Sequence, residues 1–402
     1  MLKKLCIDNF KAFNDFEISF NPVTFVIGAN AAGKSGLLNA IVFLKYCCTD
    51  TVKAYMDYHK LTVNDLCSKL VSSQRITFSA IFDFDGKEVS WEICLLASKT
   101  ENSLRLSFEE VSSGGEKLLS YFPRYSRDRH GKKRVIPKSF RVNEKDKSEE
   151  EISRGLYRFS LVSLIGSEDA DQYPTLFSIK KFFEATTPFD LLSPKDMRDC
   201  SRTKTDTIGR YGEMLAAFVK NLSSDEKLDL VKTVQSVFPS VSDIKAVVRG
   251  RPGWAYIEVE ETYENDRISV SSRNVSDGVI RIIAFFAMKY HKNSGGVSLL
   301  DEMENGINSE IMEPVLKAIQ NNSEKNRQQF IASTHNTVLL DFIDSDNIRY
   351  LARDEFGHTI AYNPFESEEL REKLEYMFPG EVLLNTPNKQ LCFLAKSEVK
   401  RV

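Results

Sequence analysis

Apolar and polar positions along the 402 residues follow two periods. Val23-Thr24-Phe25-Val26-Ile27 is a short apolar run rich in β-branched and aromatic residues, which predicts a buried strand. Shortly after it, Leu37, Leu38, Ala40, Ile41, Phe43 and Leu44 recur at helical spacing. Arg75–Phe84, Val89–Leu96 and Leu104–Phe108 alternate with period two, the mark of antiparallel strands with one face on a core, and Asp85-Gly86-Lys87 fits a hairpin turn between the first two. From Arg154 to Phe238 the spacing turns mostly helical, in Leu176–Phe183, Glu213–Lys220 and Asp225–Phe238. Val247–Glu260 returns to strand, with Gly250, Pro252 and Gly253 at a turn. Val279, Ile280, Ile282, Ile283, Phe285, Phe286 and Met288 predict a buried helix. Two β-type runs, Val297–Leu300 and Phe330–Thr334, enclose a helical Asn308–Gln320, and Ile348–Leu351 predicts one more strand. No repeat is visible, and no heptad pattern lasts long enough for a long coiled coil.

Composition narrows the class. At ~100–200 residues per domain the length allows two or three folding units. An apolar share of 42% with 28% charged residues is a globular balance that excludes wholesale disorder. The most apolar late stretch, Val279–Tyr290, is interrupted by Arg281 and falls short of the ~20 apolar residues a membrane span needs. Asp8 arrives too early for a signal peptide. The expectation is a cytoplasmic protein with no membrane contact. Its 7 cysteines are odd in number, scattered and free of C-x-x-C spacing, and its 5 histidines do not cluster, so neither a disulfide framework nor a Cys/His metal site is indicated.

The strongest chemical signal follows the first apolar run. Gly28-Ala29-Asn30-Ala31-Ala32-Gly33-Lys34-Ser35 matches G-x-x-x-x-G-K-[ST] between a predicted strand and a predicted helix, which is the context that motif requires. Gly28 and Gly33 let successive N–H groups face inward at the positive end of a helix, Lys34 reaches β- and γ-phosphates, and the Ser35 hydroxyl ligates Mg²⁺. Val297-Ser298-Leu299-Leu300 ends in Asp301-Glu302; Asp301 at the strand edge suits the Mg²⁺ shell, and Glu302 suits the general base for an attacking water. Phe330-Ile331-Ala332-Ser333-Thr334 ends in His335, whose imidazole is placed to contact a γ-phosphate. Ser276-Asp277-Gly278 opens the buried helix and is another phosphate-friendly surface, although by itself the triplet is only a helix cap.

Taken in order, the phosphate loop, Ser-Asp-Gly before an apolar helix, Leu-Leu-Asp-Glu-Met-Glu-Asn-Gly and then Ser-Thr-His resemble the ABC-type AAA-family ATPases of the SMC, RecF and OLD group. The resemblance is strongest to stand-alone ATPases of bacterial anti-phage systems that lack a Toprim domain. Leu5-Cys6-Ile7-Asp8-Asn9-Phe10-Lys11-Ala12-Phe13 is similar to the group's opening strand, and Tyr211-Gly212-Glu213-Met214-Leu215-Ala216 to one of its helix starts. The resemblance implies an α/β fold: an ABC-type P-loop ATPase head of mixed and antiparallel sheets with flanking helices, and an inserted, mainly helical lobe. It further implies ATP and Mg²⁺ bound through Lys34, Ser35 and Asp301, Glu302 as catalytic base and His335 as switch histidine. Ser276, Asp277 and Gly278 become a signature loop that contacts the ATP of a second head, and Glu304-Asn305-Gly306 a D-loop that crosses between subunits. One chain carries one set of motifs, so a homodimer or larger homo-oligomer is expected. Ser-Asp-Gly in place of Leu-Ser-Gly-Gly-Gln argues against a transporter subunit, and the Q-loop stays unassigned, with Gln74 and Gln172 as candidates.

The expected organisation is residues 1–150 as the N-terminal part of the head with an antiparallel sheet and a basic insertion, 151–238 as the inserted lobe, and 239–402 as the C-terminal part of the head. Lys117–Arg141 carries nine cations against Asp128, with Tyr121, Phe122, Tyr125 and Phe140 interleaved. It reads either as a strip for nucleic-acid backbone or as a solvated loop balanced by the acidic residues that follow. Asp344-Ser345-Asp346 has D-x-D spacing but reads as a loop, and no second enzyme is expected. Two functions remain: an ATP-driven sensor or regulator in anti-phage defence working with a separately encoded effector, or a RecF-like DNA-binding ATPase of repair or maintenance.

Overall fold

The computed structural model describes residues 1–402 except 123–138, 154–156, 192, 202–203, 251–253, 265, 292–294, 306, 308, 327 and 400–402. The chain opens with β1 (Leu2–Asp8), β2 (Phe16–Ser19) and β3 (Val23–Gly28), then α1 (Lys34–Thr49), α2 (Val52–His59) and α3 (Val63–Leu66). Four longer strands follow, β4 (Arg75–Phe84), β5 (Lys87–Ser98), β6 (Ser103–Ser113) and β7 (Glu116–Tyr121), with short β8 (Phe140–Val142) and β9 (Glu149–Glu151). Next come α4 (Pro174–Ala185), β10 (Thr187–Phe189), α5 (Pro194–Met197), α6 (Leu215–Asn221) and α7 (Ser224–Gln235). A meander β11 (Val241–Arg249), β12 (Trp254–Tyr263) and β13 (Asp266–Ser271) leads to α8 (Asp277–Ala287), β14 (Val297–Leu300), α9 (Ser309–Asn326), β15 (Gln329–Ser333) and α10 (Thr337–Leu340). The chain closes with β16 (Ile348–Arg353), β17 (Thr359–Tyr362), α11 (Glu368–Lys373), α12 (Pro379–Leu384) and α13 (Asn388–Val399).

Two sheets share one interior. The six-stranded sheet runs β10-β14-β15-β3-β16-β17. Its first five strands are parallel and β17 is antiparallel. β14 and β15 are buried at every position, as strands covered on both faces must be. The eight-stranded sheet, β2-β1-β4-β5-β6-β7-β8-β9, is antiparallel. Its β4 alternates between buried and half-buried residues, matching the period-two pattern. Between the sheets lies α1, with Phe43 against Phe10 and Phe78 at ring separations of 5.1 and 5.6 Å. The other face of the parallel sheet is covered by α6, α7, α8 and α9 in a second apolar cluster.

Residues 151–238, read from sequence as an inserted lobe, lie differently. α4 packs on α1 through Leu176, Ile179, Phe182 and Phe183 in the cluster shared with α1. β10 pairs with β14, so Thr187, Pro188 and Phe189 stand opposite Ser298, Leu299 and Leu300. α4 and β10 are therefore built into the head, because their apolar faces are spent on α1 and on the sheet edge, while α6 and α7 pack against β11 and α8. The helical readings themselves correspond to α4, α6 and α7.

One buried charge stands out. Glu109 of β6 is fully buried and accepts from Trp91 Nε1 (2.9 Å), Leu161 N (2.7 Å) and Ser160 Oγ. Burial pushes its carboxyl up to about 7, against the pull of these donors. Between the ordinary 4.5 and 7 the folded chain holds a proton that the unfolded chain has released, so this group's contribution to stability falls as pH rises through that window. Glu109→Gln, which cannot ionise, is expected to gain on the parent across that window by on the order of 3 kcal/mol. Denaturant unfolding below and above it measures the difference; parallel pH profiles would contradict the assignment.

Candidate functional site

The C-terminal ends of β3, β14 and β15 meet at one edge of the parallel sheet. Register sets this: Leu300 is opposite Ala332, and Ser333 is opposite Val26. Residues just beyond those strands therefore converge without any sequence proximity.

Gly28 has φ +146°, and a Cβ there would stand 2.2 Å from the Leu351 carbonyl oxygen of β16. Only glycine fits that approach. Gly33 has φ +114° and precedes α1, and Ala31 also takes a left-handed backbone at φ +62°. The loop they shape is stapled from inside. Lys34 Nζ donates to Gly28 O at 2.8 Å and to Ala29 O at 3.0 Å. An ammonium has three protons, so one remains for a phosphate oxygen. Burial lowers the Lys34 pKa, while Asp301, Glu302 and Glu304 raise it and favour the charged form.

Two braces, absent from the sequence reading, hold the loop from outside. Thr359 Oγ1 donates to Ala32 O at 2.9 Å, and Arg353 Nε donates to Ala31 O at 3.1 Å while its Nη1 binds Gly357 O at 2.6 Å. Both come from the β16–β17 hairpin, over 300 residues away in sequence, and no local motif marks them. Losing the Arg353 bond is worth about 1 kcal/mol. Arg353→Ala is expected to raise the KM for ATP roughly 5-fold with kcat little changed, as steady-state kinetics would show. A fall in kcat at unchanged KM would contradict a purely positioning role.

Asp301 lies immediately after β14 and reaches Ser35 Oγ at 3.2 Å. Ser333 Oγ donates to the same carboxylate oxygen and accepts from Glu302 N at 2.9 Å. Ser333 was legible only as part of Ser-Thr-His; its bridging role depends on the β14–β15 register. Glu302 has φ +48°, a strained backbone for a residue with a side chain, and its Oε1 lies 3.7 Å from His335 Nε2. Asn305 Nδ2 donates to Glu302 Oε2 at 2.6 Å, and His335 N donates to Glu304 Oε1 at 2.6 Å. Glu304 Oε2 is buried without a hydrogen-bond partner among the described residues. Lys34, Ser35, Asp301, Glu302 and His335 are thus one constellation. Gly306 of the expected D-loop lies outside the described residues.

Hard oxygen donors at Ser35 and Asp301, with Glu302 and Glu304 adding negative charge nearby, fit Mg²⁺, which takes one or two protein ligands and leaves its other positions to phosphate and water.

Ser276, Asp277 and Gly278 sit elsewhere on the head, at the N-terminus of α8. Ser276 caps that helix, its side chain accepting from Val279 N at 3.4 Å. Asp277 is exposed and pairs with Arg198 at 2.6 Å; Arg198 also donates to Ser272 O and Val275 O, fixing the turn. No local motif in the sequence marks Arg198 for this role. Among the described residues no hydrogen bond or ion pair joins the triplet to the Gly28–Ser35 loop. Arg281 of α8 does reach the Asp301–Asn305 segment, donating to Asn305 O at 3.2 Å.

The basic strip can be followed only at its ends, since 123–138 lie outside the described residues, Arg124, Arg127, Arg129, Lys132, Lys133, Arg134 and Lys138 among them. Lys117 pairs with Glu110 at 2.6 Å, Arg141 pairs with Glu150 at 2.8 Å beneath the Tyr173 ring, and Tyr121 is buried. Asp344 of the D-x-D spacing accepts from Asp346 N at 3.0 Å, which makes it a turn residue. Among the described residues no helix is long and apolar enough to cross a membrane.

A protein-family model described as "AAA domain, putative AbiEii toxin, Type IV TA system" matches residues 23–341. An "ATP/GTP phosphatase" of Helicobacter pylori is 20% identical over 406 residues, spanning 95% of this chain and 99% of that protein. A solved SMC head bound to the C-terminal winged-helix domain of ScpA superposes with TM-score 0.52 at 13% identity, covering 90% of this chain and 96% of the other. The fold is that of an ABC-type P-loop ATPase head.

Proposed function

The chain belongs to the AAA-domain, AbiEii-type family matched over residues 23–341, and from that premise we propose that it is an ATP-driven switch in anti-phage defence that restrains or releases a separately encoded effector. ATP hydrolysis is its reaction. The observation that carries the switch is the separation of two half-sites: Lys34, Ser35, Asp301, Glu302 and His335 converge at one sheet edge, while Ser276, Asp277 and Gly278 face outward at the start of α8. An outward-facing helix N-terminus suits the phosphates of a nucleotide held by a second copy.

In this reading the loop N–H groups and Lys34 bind the triphosphate. Ser35 Oγ and Asp301 hold Mg²⁺, which when bound neutralises phosphate charge. Glu302 orients the attacking water and takes its proton, and Ser333 fixes the backbone from which Glu302 projects. His335, beside Glu302, contacts the γ-phosphate and reports its loss. Asn305 links Glu302 to Arg281 of α8, so docking a partner at the α8 turn bears on the base. The effector reading draws on the family's toxin and type IV toxin–antitoxin description.

The test is phage plating on cells carrying this gene with its neighbour, intact or as Lys34→Ala. Protection lost in the variant is the expected result, and equal plating overturns the defence reading. Light scattering on the purified chain with and without ATP separates the dimer: Asp277→Arg is expected to keep ATP binding and lose ATP-dependent association.

A further inference from the structure

Beside α1, on residues outside the phosphate loop, two cationic side chains and an imidazole gather. Lys11 comes from the turn after β1, His59 from the end of α2, and Arg210 from the segment before α6. Tyrosines surround them. Tyr55 and His59 have ring centroids 4.4 Å apart, Tyr58 meets His59 at 4.9 Å, and Tyr46 meets Tyr55 at 5.5 Å. The Arg210 guanidinium lies over Tyr58 and Tyr211 at 5.9 and 5.5 Å.

Like charges do not collect in a half-buried place without cost. The charges acting on His59 are those of Arg210 and Lys11, both positive, and with burial as the larger cause they lower its pKa. The carboxylates of Asp50 and Asp190 bear on Tyr46 and Tyr211, not on His59. Among the described residues neither Lys11 nor Arg210 has a salt bridge. Three polar atoms in this cluster are buried with no hydrogen-bond partner among the described residues: Tyr55 Oη, His59 Nε2 and Arg210 Nε. Tyr55 is 0% exposed and its hydroxyl is buried, and Tyr58, 53% exposed, stands at the rim. Buried polar atoms are ordinarily paired, and several orphans beside unneutralised cations ask for an acceptor.

We propose that Lys11, Tyr55, His59 and Arg210 form a binding site for a phosphoryl dianion that shares no residue with the Gly28–Ser35 loop. Guanidinium, ammonium, phenol and imidazole supply donors to the phosphate oxygens, and the Tyr58 and Tyr211 faces accept a base attached to the phosphate. The phosphate arrives either on a free nucleotide or as the terminal monoester phosphate of a nucleic-acid strand, since the diesters within a strand carry one charge each.

The imidazole of His59 reports occupancy directly. With histidine-labelled protein, its NMR resonance is followed while inorganic phosphate, AMP or a short 5′-phosphorylated single-stranded oligonucleotide is added. Each is expected to move the resonance saturably and to raise the His59 pKa by about one unit, the effect of an opposite charge at contact. The ligand saturating at the lowest concentration names the source. Both effects are expected to persist in Lys34→Ala and to vanish in Arg210→Gln; Tyr55→Phe, which deletes only the orphaned hydroxyl, weakens binding several-fold and covers a misfolded Arg210 variant. An unmoved His59 overturns the proposal. A response seen only with ATP and lost in Lys34→Ala does so too, since the anion would then be that of the loop's own nucleotide.

Discussion

Glu302→Gln is expected to bind ATP as the parent does and to hydrolyse it about 10²–10⁴-fold more slowly. The amide keeps the size and the hydrogen bonding of the side chain but cannot take a proton. Its surroundings favour this narrow outcome. Glu302 is held at φ +48° by the Ser333 hydroxyl on its N–H, so the backbone that aims it does not depend on the carboxylate. Asn305 Nδ2 lies 2.6 Å from one carboxylate oxygen and meets the glutamine oxygen in one of its two flips. Binding by equilibrium dialysis and turnover by phosphate release separate the two effects. ATP-dependent association is expected to outlast that of the parent. Turnover at the parent rate would remove Glu302 from the role of base and leave His335 as the next candidate.

Lys34→Ala should fail one step earlier. A hydrogen bond from a charged donor to phosphate is worth ~1.5–3 kcal/mol, so affinity for ATP falls roughly 10- to 100-fold and turnover is lost with it. The same amine spans the Gly28 and Ala29 carbonyls, so its removal also loosens the loop that presents the N–H groups. Lys34→Arg keeps charge but brings a planar fork to a place shaped for a point charge, and is expected to recover little. Calorimetric titration with ATP at fixed Mg²⁺ measures this. Affinity within 2-fold of the parent would show that the backbone N–H groups alone carry the phosphates.

The contrast between these residues and their supports explains what the sequence could disclose. Lys34, Ser35, Asp301, Glu302 and His335 were legible because strand–loop–helix and strand–acid patterns are local, and phosphate chemistry restricts the residue types at each place. Ser333, Arg353, Thr359 and Arg198 were not, since each acts through a register or hairpin that joins distant segments. β10 has three residues, too few to show a period, and it decides whether the stretch before it hangs from the head or belongs to it. The buried helix α8 declared itself by its apolar run, but whether its Ser276-Asp277-Gly278 start faces inward or outward depended on the tertiary structure.

β3, which carries the phosphate loop, has β15 on one side and β16 on the other, and both are made some 300 residues later. On a ribosome adding about 5–20 residues per second, β3 is an unpaired apolar strand for some 15–60 s before either neighbour exists. Meanwhile β1 and β4 to β7 emerge early and can form their antiparallel sheet against α1. The nascent chain thus holds a finished half and an exposed strand at once, and nucleotide binding becomes available only near the end of synthesis. A chain cut short by a premature stop before β15 would leave no competent loop.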